Sequence, residues 1–171
     1  MSIKIQNIKK SSGFTLLEVM IALVIFSIGM LGLAGIQAIA LQNNNTAYMR
    51  TIAMQQAYNI ADLIRASTDF DGDVTSAFNA VDTTLGTEPT ACIVNDQLTN
   101  CTADQIAAFD IFHWKNRLNE ELPSGRGKIT LSSDVYEIII MWDEKKTGVT
   151  GESCSGNSDV DLKCYTLHIQ V

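Results

Sequence analysis

Proline is rare in this sequence and is absent from its first half. It occurs twice among 171 residues, at Pro89 and Pro123. Because proline interrupts helices, its absence allows a single helix from about residue 14 to about residue 66. Charge is also missing from much of this stretch, since no Asp, Glu, Lys or Arg lies between Glu18 and Arg50. The stretch between these two residues is therefore not an ordinary surface segment.

Motifs of common enzyme classes are missing as well. The sequence contains no G-x-S-x-G, and Gly125-Arg-Gly-Lys128 has neither the spacing nor the Ser/Thr of a phosphate-binding loop. His113 lies in a predicted helix and His168 in a predicted strand, and we interpret both as surface or packing residues. The sequence thus predicts a protein that is not an enzyme and needs no cofactor.

Charge is distributed unevenly along the chain. The formal net charge is −7, which predicts repulsion of nucleic acids and of anionic lipid headgroups. The first 17 residues differ, since Lys4, Lys9 and Lys10 are their only charged side chains. A basic flank before an apolar segment places the N-terminus in the cytoplasm and the following domain on the other side of the membrane.

Residues 19–41 form an apolar run whose only polar side chains are Ser27 and Gln37. As a helix, this run spans a hydrocarbon core of about 30 Å. Its insertion gains roughly 4–7 kcal/mol, whereas Glu18 at its head opposes insertion by roughly 1–3 kcal/mol. We therefore predict a membrane anchor.

A cleavable secretory signal is the alternative for the same run. Ala38-Ile39-Ala40 is an A-x-A pattern, and cleavage after Ala40 would release a secreted protein that begins at Leu41. The run is longer than the usual apolar region of such signals, and this alternative does not explain Glu18.

Four cysteines lie in two sequence-local pairs, Cys92 with Cys101 and Cys154 with Cys164. No C-x-x-C occurs, so zinc binding is disfavoured against disulfides in an oxidising compartment. Three pairings are open, and pairing of sequence neighbours is the favoured one. Each small loop then contributes roughly 2.5–3 kcal/mol by the loop-entropy estimate. Four reduced, buried thiols remain the alternative.

The stretch Lys10-Ser-Ser-Gly13-Phe14-Thr-Leu-Leu-Glu18-Val-Met-Ile-Ala-Leu resembles the class III signal of type IV prepilins and type II secretion pseudopilins. The resemblance implies cleavage between Gly13 and Phe14 by prepilin peptidase, followed by N-methylation of Phe14. It thereby implies a leader of residues 1–13, a helix of residues 14–66 and a periplasmic pilin domain of residues 67–171. Residues 14–41 would form the transmembrane segment and later the filament core.

Glu18 gains a role from this resemblance. In an assembled filament its carboxylate neutralises the Phe14 ammonium of a neighbouring subunit, so that both charges enter the apolar core as a pair. Leaving one partner of such a pair alone typically costs about 3–5 kcal/mol. The alternatives are that Glu18 stays at headgroup depth or pairs with the amine of its own chain.

The similarity extends through Phe26-Ser-Ile-Gly-Met-Leu-Gly-Leu-Ala-Gly35 to the PilV, or type IV pilus modification, family of minor pilins. This similarity implies a subunit that initiates pilus assembly and joins a tip complex in the extracellular pilus. The implied partners are other minor pilins, the major pilin, prepilin peptidase/methyltransferase, a tip adhesin and the inner membrane. Many major pilins have proline where this chain has Gly35. A type II secretion pseudopilin is the alternative.

Beyond residue 41 the pattern predicts an α+β domain. Met49, Ala53, Ile60 and Ile64, together with Ile52, Ala57 and Ala61, form an apolar stripe at helical spacing. After a polar connector from Ser67 to Gly86, a second helix is expected from about Ala103 to Glu121, with Thr102 as its N-cap. Ala107, Ile111, Trp114, Leu118 and Leu122 should face the core from this helix.

Three strands follow, from Lys128 to Ser132, Val135 to Trp142 and Cys164 to Val171. We expect a pilin-like fold, with the long N-terminal helix packed on an antiparallel sheet of three to four strands.

Two acidic loops have some metal character. Calcium binds about six to eight oxygen atoms, and Asp69, Asp71 and Asp73 offer three carboxylates, but the order differs from an EF-hand loop and the distant Glu is absent. A second loop contains Asn157, Asp159 and Asp161. We favour a solvated acidic turn over a metal site for both.

Overall fold

The computed structural model describes residues 13–67, 76–89, 93–94, 97–98 and 101–171. These residues form α1 (Leu16–Ala66), a 3-10 turn (Ser76–Phe78), β1 (Ala80–Val81), β2 (Ile93–Val94), β3 (Gln97–Leu98), α2 (Ala103–Glu121), β4 (Arg126–Ser132), β5 (Val135–Trp142) and β6 (Lys163–Gln170). The chain divides into two compact units, of which the first ends at Asn44 and the second covers Asn45–Val171. The predicted α+β, pilin-like architecture is confirmed.

Helix α1 begins at Leu16, two residues later than predicted. The main-chain N–H of Glu18 donates to the Thr15 hydroxyl at 3.3 Å and contacts the Thr15 carbonyl oxygen at 3.1 Å. Thr15 therefore acts as the N-cap, because it satisfies a donor that the first helical turn leaves free. The helix continues through the three asparagines 43–45 and ends at Ala66.

The second unit is built around the apolar stripe of α1. Met49, Ala53, Ala57, Ile60, Ala61 and Ile64 are buried in one hydrophobic cluster with residues of α2 and the sheet. Ile52 of the same stripe is partly buried and packs against this cluster, and Gln56 is buried as well. The amide of Gln56 donates to Glu121 of α2 at 2.8 Å, which compensates its desolvation.

A four-stranded antiparallel sheet in the order β1-β4-β5-β6 covers this stripe. Ser133 and Asp134 join β4 to β5 and both have positive φ, as a two-residue hairpin turn requires. From β5, Tyr136, Ile138, Ile140 and Trp142 point into the core. Strand β1 and the buried Phe78 lie in the segment predicted as a polar connector, so that prediction was wrong for residues 76–81.

Helix α2 has the predicted limits and the predicted N-cap. Thr102 and Gln105 form a reciprocal capping box. Trp114, Leu118 and Leu122 are buried together with Ala107, while Ile111 is only partly so. The last strand was predicted to end at Val171, whereas β6 ends at Gln170 and Val171 is exposed.

Two glycines let α2 lie close to the start of β4. A Cβ on Gly125 would come within 1.9 Å of the Leu118 carbonyl oxygen, and one on Gly127 within 2.2 Å of the Trp114 ring. Any larger residue would push the helix away from the strand.

Candidate functional site

The apolar half of α1 is the most unusual surface of the molecule. Its large side chains from Phe14 to Leu41 are at least half exposed within the described chain. An 18-residue window of α1 has a mean hydropathy of 2.6, and none of it is buried. Apolar surface of this extent needs a covering, since monomeric soluble proteins expose only small apolar patches. By length and composition, the segment fits a single-pass membrane anchor.

Gly13, Phe14 and Thr15 precede the helix, and Phe14 is 84% exposed. A Cβ added to Gly13 would meet nothing within 4 Å in the described chain. The fold itself therefore does not require glycine at this position, unlike at Gly125 or Gly127.

Glu18 lies in the first turn of α1, one helical turn from Phe14. Phe14, Glu18, Ala22 and Phe26 recur at steps of four and line one shallow groove along the helix surface. No basic side chain among residues 13–67 or in the described domain forms an ion pair with Glu18. The Glu18 carboxylate therefore lies close to Phe14 on an otherwise apolar face of the helix.

Residues 8–34 match the family model described as the prokaryotic N-terminal methylation motif. The chain carries this motif. It is the signature of prokaryotic pilins and pseudopilins, so it indicates a structural protein that is processed by prepilin peptidase and assembles with other pilins. Comparison with curated proteins and comparison with solved structures give no match.

The second cysteine pair is joined as predicted. Cys154 and Cys164 form a disulfide with Cα atoms 5.6 Å apart, which joins the loop before β6 to the start of that strand. Cys101, directly before the Thr102 cap, is also disulfide-bonded. Cys92 lies outside the described residues, so its pairing stays a prediction.

The acidic loop inside this disulfide is organised by one buried carboxylate. Asp161 is 6% exposed, and it accepts hydrogen bonds from the Ser155 hydroxyl and, at 3.4 Å, from the Ser153 main-chain N–H. The Ser155 hydroxyl is the main cause that lowers the pKa of Asp161, with main-chain N–H groups of Ser153 and Ser155 adding to it. Our interpretation of a solvated turn was therefore wrong for Asp161.

No group of three or more His, Cys, Asp or Glu side chains in the described chain is arranged to hold a metal ion. Asp69, Asp71 and Asp73 lie outside the described residues. His113 is half-buried against the rings of Phe109 and Phe112. His168 is exposed, with its imidazole 3.4 Å from Glu137 on the neighbouring strand.

Sequence analysis missed an ion pair between a buried lysine and an exposed aspartate. Lys115 of α2 is buried, and its ammonium donates to Asp82 Oδ1 at 3.2 Å and to the Thr84 carbonyl oxygen at 2.6 Å. The hydrogen bond from Lys115 is the largest cause that lowers the pKa of Asp82. The sequence offered one indication that Lys115 is buried: it lies next to Trp114, on the side of α2 that carries the apolar residues.

Proposed function

We propose that this chain is a minor pilin of the type IV pilus, similar to the PilV family, which initiates assembly and takes part in a complex at the pilus tip. The observation that carries the proposal is the exposed apolar half of α1, headed by Glu18 and preceded by the methylation motif. Such a helix is stable in lipid and, after extraction, in a bundle of equivalent helices. Because the lipid and the bundle are both apolar, the helix can pass from one to the other without exposing its surface to water.

In this proposal residues 1–13 are the leader and cleavage leaves Phe14 as the N-terminal, methylated residue. Residues 14–41 anchor the subunit in the inner membrane, and the domain of residues 67–171 lies in the periplasm. The remaining helical residues, up to Ala66, pack into that domain. During assembly Glu18 pairs with the Phe14 ammonium of a neighbour and so fixes the axial register of the subunits. The partners are other minor pilins, the major pilin and a tip adhesin.

The second candidate is a minor pseudopilin of a type II secretion system, because the methylation motif is common to both groups. The long domain and its cysteine pairs favour the pilus in our interpretation. Shearing of surface filaments separates the candidates, since a pilus subunit is recovered in the sheared fraction and a periplasmic pseudopilin stays with the cells.

Intact mass of the mature chain tests the common basis of both candidates. We expect a chain that starts at Phe14 and carries one additional methyl group. A Gly13→Val variant should keep its leader, because a branched side chain next to the scissile bond obstructs an extended protease cleft. Gly29→Val, in the membrane helix, is the matched control and should be processed normally. A mature chain that begins at Leu41 would contradict the proposal.

A further inference from the structure

The four-stranded sheet has two edges of very different length. At one edge lies β1, with 2 residues, and at the other lies β6, with 8. A long edge strand presents main-chain groups that can accept another strand, and proteins usually protect such an edge with charge, proline or a bulge. Residues 166–170 of β6 include no Lys, Arg, Asp, Glu or proline, and their pairing with β5 is unbroken. This edge therefore lacks the usual protection.

The hydrogen-bond alternation of the sheet shows which main-chain groups of β6 are free. The N–H of Leu131 in β4 donates to the Asn79 carbonyl oxygen on the β1 side, at 3.1 Å. Bonded and non-bonded pairs alternate along antiparallel strands. Followed through the register of β4, β5 and β6, this alternation directs the main-chain groups of residues 165, 167 and 169 toward β5. The residues whose N–H and C=O groups point away from the sheet are Thr166, His168 and Gln170.

The loop before β6 closes only the beginning of this edge. The N–H of Leu162 donates to the Gly151 carbonyl oxygen at 2.8 Å, and the disulfide holds Cys154 against Cys164. Within the part of the chain that the structure describes, no main-chain group outside the sheet bonds to residues 166–170. We call these residues the β6 edge. An extended segment can reach it without displacing any described part of the chain.

Exposed apolar side chains of α1 lie beside the β6 edge. Tyr165 and Leu167 pack against the hydrophobic cluster but are only partly buried. Burial is the main cause that raises the pKa of Tyr165, and the nearby Tyr58 hydroxyl of α1 adds to it. Tyr58 is 53% exposed, and Met54, one turn earlier, is 42% exposed. The apolar interface between α1 and the sheet thus continues to the edge, where nothing in the described chain covers it.

A second copy of the chain fits this edge poorly. Antiparallel pairing of two β6 strands requires a two-fold axis normal to the sheet. Because α1 packs as a layer on the sheet, that axis would reverse its direction in the second copy. Copies that are anchored through the apolar half of α1 enter the membrane in one direction. The occupant should therefore be a different protein.

We propose that the β6 edge accepts an extended segment of another protein as a further antiparallel strand. The segment would pair its main chain with Thr166, His168 and Gln170, and the apolar side chains of one face would cover Tyr58 and Met54. Its other face would be polar, like the exposed side chains of the three edge residues. The choice of another protein over a second copy rests on the membrane anchor of the proposed function, which the intact-mass experiment tests separately.

Amide hydrogen exchange of the full-length chain in zwitterionic detergent micelles tests the proposal. Without a ligand, Thr166 and His168 should exchange roughly tenfold faster than Leu167 and Ile169, which bond to β5. The probe is a blocked peptide of alternating valine and threonine, with a lysine at each end for solubility. It should slow exchange of the two edge amides roughly fivefold at saturation, with a dissociation constant of about 0.1–1 mM. Absence of saturable protection would overturn the proposal.

A peptide of the same sequence with methylated main-chain nitrogens is the matched control. It keeps the side chains and the charge but has no N–H donors along its chain, so it should give no protection. Equal protection by both peptides would show that strand pairing is not the cause and would contradict the proposal. Protection that rises with the concentration of the protein alone would assign the edge to a second copy and would contradict the choice of another protein.

Two substitutions at His168 separate the main chain from the side chain. His168→Pro removes an outward N–H, and proline is tolerated on an edge strand at such a position. Peptide affinity, measured at the Thr166 amide, should fall roughly tenfold or more. His168→Val loses the same imidazole but keeps the N–H, so its affinity should change less than about twofold. Slow exchange of Ile169 in both variants verifies that the β5–β6 pairing is kept, and equal affinities of the two variants would refute the proposal.

Discussion

The indole N–H of Trp114 donates a hydrogen bond of 3.0 Å to the main-chain carbonyl oxygen of Gln56. This bond joins α2 to α1. Trp114 is only 3% exposed, so the bond is shielded from water. The Gln56 side chain adds a second link, through its bond to Glu121. The two helices are therefore held in register by polar contacts inside a mostly apolar interface, and register is a property that apolar packing alone specifies weakly.

Replacing Trp114 by phenylalanine should destabilise the domain. Trp142 provides a matched control, because it is equally buried but its indole nitrogen has no hydrogen-bond partner in the described chain. Both substitutions remove the same volume, and only Trp114→Phe also breaks a hydrogen bond. The free energy of unfolding should fall by about 1 kcal/mol more for Trp114→Phe than for Trp142→Phe. Pulse proteolysis in urea measures both, and equal losses would contradict the role of the bond.

Stability should depend on pH through Asp82. Lys115 lowers the pKa of this carboxyl below its ordinary value of 3.8 in the folded state, so the folded protein binds its proton less tightly than the unfolded chain. The resulting stabilisation is complete above the unfolded pKa and is lost as the pH falls through the lowered folded pKa. Asp82→Asn should therefore be less stable than the wild type at pH 6, and this difference should disappear in strong acid.

Urea unfolding of both proteins between pH 6 and pH 2 measures this convergence. Glu120→Gln, at an exposed position of α2, serves as the control and should follow the wild type at all pH values. A difference for Asp82→Asn that stays constant down to pH 2 would show that the ion pair is not its source.

The disulfide loop should open more readily without Asp161. Asp161→Asn weakens the bonds from Ser155 and Ser153, because a neutral amide oxygen accepts less strongly than a carboxylate. Reduction of Cys154–Cys164 by dithiothreitol should then be about fivefold faster, since exchange requires access to the sulfur atoms. Asp159→Asn, in the same loop but bonded to Lys145 on the surface, should change the rate less than twofold. Equal rates for all three proteins would contradict this account.

Regular periodicity made most of the fold predictable. The apolar stripe of α1, the Thr102 cap and the limits of α2 and β5 are local patterns, and the structure reproduces them. Strand β1 was missed because two residues are too short to show alternation. Its place in the sheet depends on pairing with Ile129 and Thr130, which lie far away in sequence.

Buried polar groups were not predictable from sequence. Gln56 occupies the apolar stripe because Glu121 faces it from another helix, and Lys115 is buried because Asp82 and the Thr84 carbonyl group meet it. Asp161 is buried because Ser155 is brought back to it by the disulfide loop. Each depends on a tertiary partner. By contrast, Gly13, Phe14 and Glu18 lie within one short sequence motif, so their roles could be proposed from the sequence alone and stay predictions.

Glu18 should be needed for filament assembly but not for membrane insertion. Its removal makes the helix more apolar, so Glu18→Ala should insert normally. In a filament, however, the Phe14 ammonium of the neighbour would lose its counter-ion in an apolar core, where an unpaired charge typically costs about 3–5 kcal/mol. We expect at least a tenfold loss of the variant from sheared filaments, measured by quantitative immunoblotting against the membrane fraction.

The charge, rather than the shape, of the Glu18 side chain is decisive in this account. Glu18→Gln keeps the size and the hydrogen-bonding oxygen but cannot neutralise an ammonium, so it should fail to assemble as Glu18→Ala does. Glu120→Ala removes a carboxylate from the exposed surface of α2 and should assemble like the wild type, which controls for expression and handling. Efficient incorporation of Glu18→Gln would show that a neutral hydrogen bond is sufficient and would disprove the ion pair as the element that sets the register.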